Sequence, residues 1–273
     1  MDKMKRAERM VAAMQILMSK PNILIPLTIL AERFGAAKST ISEDLLALKE
    51  SLHSTGQGRL ETVSGAAGGV RYIPEISRGE AREFLKELSE RLSVKERILT
   101  GSFLYMTDLL YDPAVLRPLG LIFAGAFREK KLDVVVTIET KGIPLALVTA
   151  EALGVPMVII RHGNKVTEGS AVSINYVSGS SKRIQSMSLG RRALEAGKRV
   201  LLIDDFMKAG GTALGMVNLM QEFEVNVVGI GVLMESLTEN EPKIVHQYCS
   251  LLQLKELDPV HGLAVVTPSS DFS

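Results

Sequence analysis

The sequence predicts an α/β protein, a small helical head followed by a doubly wound parallel sheet, and three observations predict it. At 273 residues the chain is long enough for about two domains, each with a core that needs no disulfide or metal. The first seventy-odd residues hold short amphipathic helices and a glycine-tipped pair of β-prone runs. From about Asp112 onward, charge-free runs rich in valine and isoleucine alternate with helical segments, the pattern of strands buried on both faces of a parallel sheet.

Composition excludes several classes. The chain is 46% hydrophobic and 23% charged, ordinary for a globular protein. It has no apolar run of about 18 residues, so no membrane span is expected. Asp2, Lys3, Lys5, Arg6, Glu8 and Arg9 precede any apolar stretch, which is not the pattern of a secretory signal. With the single Cys249 unable to pair within the chain, a cytoplasmic protein is expected. His53, His162, His246 and His261 are scattered without metal-ligand spacing, so no metal site is expected. Residues 1–74 hold ten Lys and Arg against seven Asp and Glu, a net charge of +3, while the remainder carries −2. A basic head points to a polyanionic partner.

In the head, Met10, Met14, Leu17 and Met18, with Val11 beside them, recur at helical spacing over roughly 6–19. Pro21 stops this helix. A second starts with Pro26 at its first position, carries Leu27, Leu30, Ala31 and Phe34 on its apolar face, and ends at Gly35. After Gly35-Ala36-Ala37 a third helix buries Ile41, Leu45, Leu48 and Leu52. Two short helices across three small residues form a helix-turn-helix. Lys38, Ser39, Thr40 and Ser42 open the third helix on its polar side, suited to base edges and phosphates. Arg59–Val63 and Val70–Ile73, joined through a glycine-rich tip, add a wing. Gly68 and Gly69 would let backbone approach a phosphate chain, with Arg71 at the base and Arg6 as a further basic contact. Pro74 and the charged segment 78–91 mark the boundary, giving a winged helix-turn-helix over 1–74 and a ligand domain over 75–273. A packing or dimerisation module of the same shape is the plainer alternative.

In the second domain, Asp112-Pro113 starts a helix with apolar positions to Phe127. Val134–Ile138, Met157–Ile160, Val200–Ile203 and Val227–Val232 read as strands, and Ile143–Leu153 reads as a helix stopped by Gly154. Parallel sheets bind ligands beyond the carboxyl ends of their strands, so those loops carry the chemistry. The run Val200 to Thr212 places Asp204 and Asp205 after a strand, with Lys208-Ala209-Gly210-Gly211-Thr212 opening the next helix. Neighbouring strand residues face opposite ways, so for both carboxylates to reach one ligand the chain must be turning at Asp205. Carboxylates accept from sugar hydroxyls, while backbone N–H groups of the glycine loop and the Thr212 hydroxyl hold a phosphate. This describes a cradle for a ribose 5-phosphate. There is no Walker lysine-serine pair and no G-x-G-x-x-G.

This run resembles the phosphoribosyl pyrophosphate (PRPP) motif of type I phosphoribosyltransferases. The resemblance implies a pyrophosphate loop at Glu139-Thr140-Lys141-Gly142, though an ordinary βα turn would look the same. It also implies a flexible loop that closes over the pyrophosphate in the hairpin around Ser178-Gly179-Ser180-Ser181-Lys182-Arg183, for which a merely exposed hairpin is the alternative. Tyr105 reads as packing. Over nearly the whole chain, including Ala37-Lys38-Ser39, Gly65-Ala66-Ala67-Gly68-Gly69-Val70 and Asn175-Tyr176-Val177-Ser178-Gly179, the sequence is similar to the purine-operon regulators of Gram-positive bacteria. That resemblance implies a homodimer on operator DNA, with PRPP, with or without Mg, as the effector that lowers operator affinity. Guanosine alarmones are implied as competitors. It implies Asp204, Asp205, Lys208, Ala209, Gly210, Gly211, Thr212, Thr140, Lys141, Gly142, Tyr176, Lys182 and Arg183 as PRPP contacts, and no transferase activity. Two other readings stay open. One is a working purine phosphoribosyltransferase with a regulatory head, although no segment is assignable as a cover for its nucleobase. The other is an assembly module with a vestigial pocket.

Overall fold

A computed structural model of the chain describes residues 4–65, 68–101, 103–163, 169–177, 183–237 and 243–272. It divides into two compact units, Met1–Ser77 with Glu151–Gly154, and Arg78–Ala150 with Val155–Ser273.

The first unit is a winged helix. Helices α1 (Arg6–Met18), α2 (Leu27–Phe34) and α3 (Lys38–Thr55) pack with strands β1 (Ile25–Pro26), β2 (Arg59–Val63) and β3 (Gly69–Ile73), the sheet order being β1-β3-β2. Gly35 ends α2 with φ of 58°, the left-handed cap that a side chain disfavours. Leu17, Leu30, Phe34, Ile41, Leu45, Leu52, Leu60, Val70 and Tyr72 make the core. The periodicity of α1 is real but its phase is shifted from the methionines. Arg9, Ala13 and Leu17 are buried, while Val11 is 70% and Met18 55% exposed. A charged Arg9 occupies the core-facing row because Asp44 of α3 meets it there. Pro26 pairs in β1 and caps α2 rather than opening it, so the chain enters the helix from a two-residue strand that the sequence did not disclose.

The second unit is built on a six-stranded sheet of order β13-β12-β11-β10-β6-β7, from β6 (Val134–Ile138), β7 (Met157–Ile160), β10 (Arg199–Met207), β11 (Asn226–Ser236), β12 (Cys249–Asp258) and β13 (Leu263–Pro268). All pairings are parallel except β12 with β13, so one edge is antiparallel. The charged segment 78–91, read as a boundary, lies in helix α4 (Arg78–Leu92), which buries Ala81, Leu85, Leu88 and Leu92. The central strands are apolar on both faces. Val134, Val136, Val200, Leu202 and Val232 join a cluster with Met216, Leu219 and Met220 of α8 (Gly211–Glu222). On the other face, α6 (Pro113–Phe127) lays Phe123 and Phe127 where Gly231 and Gly229 of β11 leave room; a Cβ at either glycine would fall within 2.8 Å of the rings. Asp112 caps α6 by accepting from the Ala114 N–H at 2.9 Å, the start its Asp-Pro pair predicts. Helix α7 (Gly142–Leu153) links β6 to β7. Strands β8 (Ala171–Val177) and β9 (Ile184–Gly190) form the expected antiparallel hairpin, and β4 (Ile98–Leu99) pairs with β5 (Phe103–Leu104) in a smaller one that the short helix α5 (Thr107–Leu110) follows.

From β6 the chain passes to β7 on one side, and from β10 to β11 and β12 on the other. The order reverses between β6 and β10, and a crevice forms beyond their carboxyl ends.

Candidate ligand cavity and nucleic-acid interface

A cavity of about 570 Å³ opens at that reversal point, within the size range of small-ligand sites. Eight of the sequence-derived ligand residues line it: Lys141, Tyr176, Asp204, Asp205, Lys208, Gly210, Gly211 and Thr212. The carboxylates arrive differently from expectation. Strand β10 does not turn at Asp205 but runs on to Met207, and both side chains still border the cavity. The ladder to β11 pairs Asp204 with Val232 and next Phe206 with Met234, while Asp204 Oδ1 accepts from the Asp205 N–H at 2.9 Å. Burial, the Asp205 charge and the contact with the Asp205 carboxyl all oppose Asp204 ionisation, and its pKa lies well above the ordinary carboxylate value. Burial also raises Asp205, against the partial relief of Lys141 nearby.

Gly210 caps α8 with φ of 93°, and the helix begins at Gly211. The first backbone donors of α8 therefore lie at the cavity, where a helix N-terminus favours an anion. Gly142 is required by space: a Cβ there would lie 2.5 Å from Thr137 Oγ1 and 3.2 Å from Asp204 Oδ1. Glycine lets the 139–142 turn press against the carboxylate that lines the cavity. Tyr176 is more a wall than a free ligand group. It is buried among Met187 and Met216, and its hydroxyl donates to Gln185 Oε1 at 2.7 Å. Ala209, Thr140, Gly142 and Arg183 do not line the cavity, and Lys182 lies outside the described residues. Tyr105 is 41% exposed and lines nothing there, although Leu104 and Met106 on either side do.

Among the lining groups His162 was missed, and Glu139 was read only as part of the 139–142 loop. Glu139 accepts from the His162 N–H at 2.5 Å and from Arg161 at 3.2 Å, fixing the end of β7 against the 139–142 turn. Burial opposes its ionisation, but those donors outweigh burial and lower its pKa. The rule that strand carboxyl ends carry ligand loops points to Arg161-His162 as well as to Asp204. The lining also has an apolar part that no sequence segment announced: Phe103, Leu104 and Met106 from the β5 region, with Leu254 and Leu257 of β12. Arg97 fixes this hairpin, donating to both Asp108 oxygens at 2.8 and 2.9 Å and to the Tyr105 carbonyl at 3.0 Å.

In the first unit, Lys38, Ser39 and Ser42 are exposed and Thr40 half-buried at the start of α3, with Ala37 at the N-cap offering no side-chain oxygen to its N–H groups. Arg6 donates to Asp44 Oδ1 at 3.1 Å yet remains 63% exposed beside α3, and Arg9 closes a buried ion pair with the other Asp44 oxygen at 2.5 Å. Arg71 reaches across the wing to Glu61 at 2.6 Å. Gly69 is buried, and a Cβ on it would sit 2.4 Å from the Ile25 carbonyl oxygen, so the packing of β3 against β1 by itself requires glycine there. Gly68 is half-buried, with Val63 O 2.4 Å from the position of its Cβ.

A winged helix and a parallel-sheet unit with a cavity at its reversal point define a two-part class, a nucleic-acid-binding head with a phosphoribosyltransferase-fold domain. Residues 5–74 match the family model for the bacterial purine repressor N-terminal region, and residues 106–257 match that of the phosphoribosyl transferase domain. The chain is 53% identical to the purine biosynthesis transcriptional repressor PurR of Bacillus subtilis, over 94% of this chain and 90% of that one. It is 42% identical to the purine biosynthesis transcriptional activator PurR of Lactococcus lactis, over 93% and 94%. A xanthine phosphoribosyltransferase of Lactococcus lactis is 30% identical over 69% of this chain and 99% of its own. The solved adenine phosphoribosyltransferase of Rhodothermus marinus superposes with a TM-score of 0.54 at 25% identity, over 63% of this chain and 99% of that one. The chain belongs to the bacterial PurR family. No helix among the described residues is long and apolar enough to cross a membrane.

Proposed function

We propose that the chain is a transcriptional regulator of purine biosynthesis genes in which residues 1–74 bind operator DNA and residues 75–273 bind PRPP, which lowers operator affinity. The observation that carries the ligand reading is the pairing, in one cavity, of Asp204 and Asp205 with the glycine-capped N-terminus of α8. The carboxylates suit ribose hydroxyls, the loop suits the 5-phosphate, and Lys141 with the 139–142 turn suits the pyrophosphate. Relatives named repressor and activator both match, and the repressor reading follows the more similar one. We infer a cytoplasmic homodimer that meets operator DNA as a pair of heads. Guanosine alarmones, which also carry a diphosphate on a ribose, fit as competitors. Any Mg that the pocket uses is inferred to come with the ligand's pyrophosphate.

The effector acts only through differential affinity for two states. A coupling of ~1–3 kcal/mol gives roughly 5–150-fold weaker operator binding in the presence of PRPP. A gel shift on the organism's purine promoter with and without PRPP tests this, and an unchanged shift sinks it. Replacing Lys38 by alanine is expected to weaken operator binding across sequences and to reduce the salt slope by about 1, as loss of one phosphate contact does. An unaltered slope removes Lys38 from those contacts.

The similarity to a xanthine phosphoribosyltransferase over 69% of this chain favours one second reading, a working transferase. Against it, the described apolar lining residues Phe103, Leu104, Met106, Leu254 and Leu257 offer a base a surface to stack on rather than side chains that read its edge. Pyrophosphate release from PRPP, Mg and each purine base would decide for the transferase.

A further inference from the structure

The sugar-phosphate loop has an outer side that the functional reading leaves unused. Residues 243–245 run along it. The Lys243 ammonium donates to the carbonyl oxygens of Lys208 and of Ser236, joining the loop after β10 to the end of β11. The Ile244 N–H donates to the Ala209 carbonyl at 3.0 Å. Next along the loop, the position of a Gly210 Cβ lies 3.4 Å from Ile244 and 3.6 Å from Val245.

Two successive loop carbonyls are thus held outward. In a trans peptide the C=O and the N–H point in opposite directions. Fixing the Lys208 carbonyl on Lys243 therefore turns the Ala209 N–H away from segment 243–245. Fixing the Ala209 carbonyl on Ile244 does the same for the Gly210 N–H. Lys208, Gly210, Gly211 and Thr212 border the cavity, while Ala209 and residues 243–245 do not. Among the described residues no protein acceptor takes either N–H. A positive charge on the carbonyl side also polarises the peptide, which strengthens its N–H as a donor.

We propose that Lys243 and the Ile244 N–H are positioning residues that orient the backbone amides of Ala209 and Gly210 toward a phosphate monoester bound in the loop. The inference rests on the reading of this cavity as a sugar-phosphate site and names what organises it. Neither residue touches the ligand.

Calorimetry on the full chain tests it with three probes: PRPP, ribose 5-phosphate and inorganic pyrophosphate. Lys243→Met keeps the stem and removes the charge. It is expected to weaken PRPP and ribose 5-phosphate about tenfold or more, the scale of a charge-assisted hydrogen bond, while pyrophosphate binding stays within about twofold. Lys243→Arg is expected to restore most of the loss. Ile244→Pro, which deletes the second donor, is expected to reproduce the selective pattern by an independent route, so the test survives should Lys243→Met fold poorly. Equal weakening of all three probes by both variants overturns the proposal, since general loosening of the unit produces that result. Wild-type binding with unchanged variants overturns this proposal alone. A wild-type chain that binds none of the three overturns both the cavity reading and this one.

Discussion

Asp204→Ala is expected to leave operator binding intact and to abolish its sensitivity to PRPP. The head has its own core, and no residue of it depends on this carboxylate, so the DNA-binding surface is unaffected. The cavity loses a buried acceptor beside the glycine that brings the 139–142 turn close. Hydrogen bonds from two ribose hydroxyls to a charged group, at about 1.5 kcal/mol each, account for a loss on the order of 100-fold in PRPP affinity. A titration in which Asp204→Ala is released from operator at wild-type PRPP concentration removes Asp204 from the ligand site.

The same carboxylate carries a stability signature. Its folded-state pKa is raised above the ordinary 3.8 by burial and by Asp205, so between those two values the folded chain holds more protons than the unfolded one. Stability from this group is present below pH 3.8 and is lost as pH rises through the raised value. Asp204→Asn, neutral at every pH, is therefore expected to melt at a higher temperature than wild type at neutral pH while losing PRPP response. Ribose hydroxyls donating to the ionised form stabilise it, so PRPP binding is expected to release protons from this site. Calorimetry in buffers of different ionisation enthalpy measures that release, and proton uptake would contradict it.

Much of this arrangement was legible in the sequence because the relevant signals are local. Four apolar residues, two aspartates and a paired glycine occupy one continuous run, so strand, acceptors and helix cap could be read together, although the strand runs on past the aspartates to Met207. Charge-free strands 134–138 and 200–203 were equally plain because both faces of a parallel sheet are apolar. What stayed hidden depends on distant pairings. The β12 run is interrupted by Gln253, Lys255 and Glu256, and its role in the apolar part of the lining exists only once β11 lies beside it. Hairpin β4–β5 has two residues per strand, too few for a period, and is held by Arg97 acting across Asp108 and backbone carbonyls. The phase of α1 was misread because Asp44, 35 residues on from Arg9, turns an arginine into a core-facing residue. Lys243 gave no signal, since nothing in its local sequence marks it as a group that holds the loop at 208–210.

Gly69→Val is expected to reduce operator affinity on the order of 100-fold, about 2.7 kcal/mol, with PRPP binding unchanged. The sequence suggests backbone access to DNA as the reason for glycine here, and the structure adds another, room for β1. Any side chain begins with a Cβ 2.4 Å from Ile25 O and 3.1 Å from Pro26 Cα, both backbone atoms that cannot rotate away. Valine must therefore push β3 off β1 or distort the register Ile25 with Val70 and Pro26 with Gly69. Overpacking of this kind costs typically 1–3 kcal/mol. The strain falls on the hairpin that carries Arg71 and on the segment that feeds α2, so wing and helix-turn-helix lose their common frame. PRPP measured by calorimetry reports the second unit, and operator binding reports the first. If Gly69→Val bound operator as wild type does, the three-stranded pairing would be dispensable for recognition, and the glycine would revert to its other explanation.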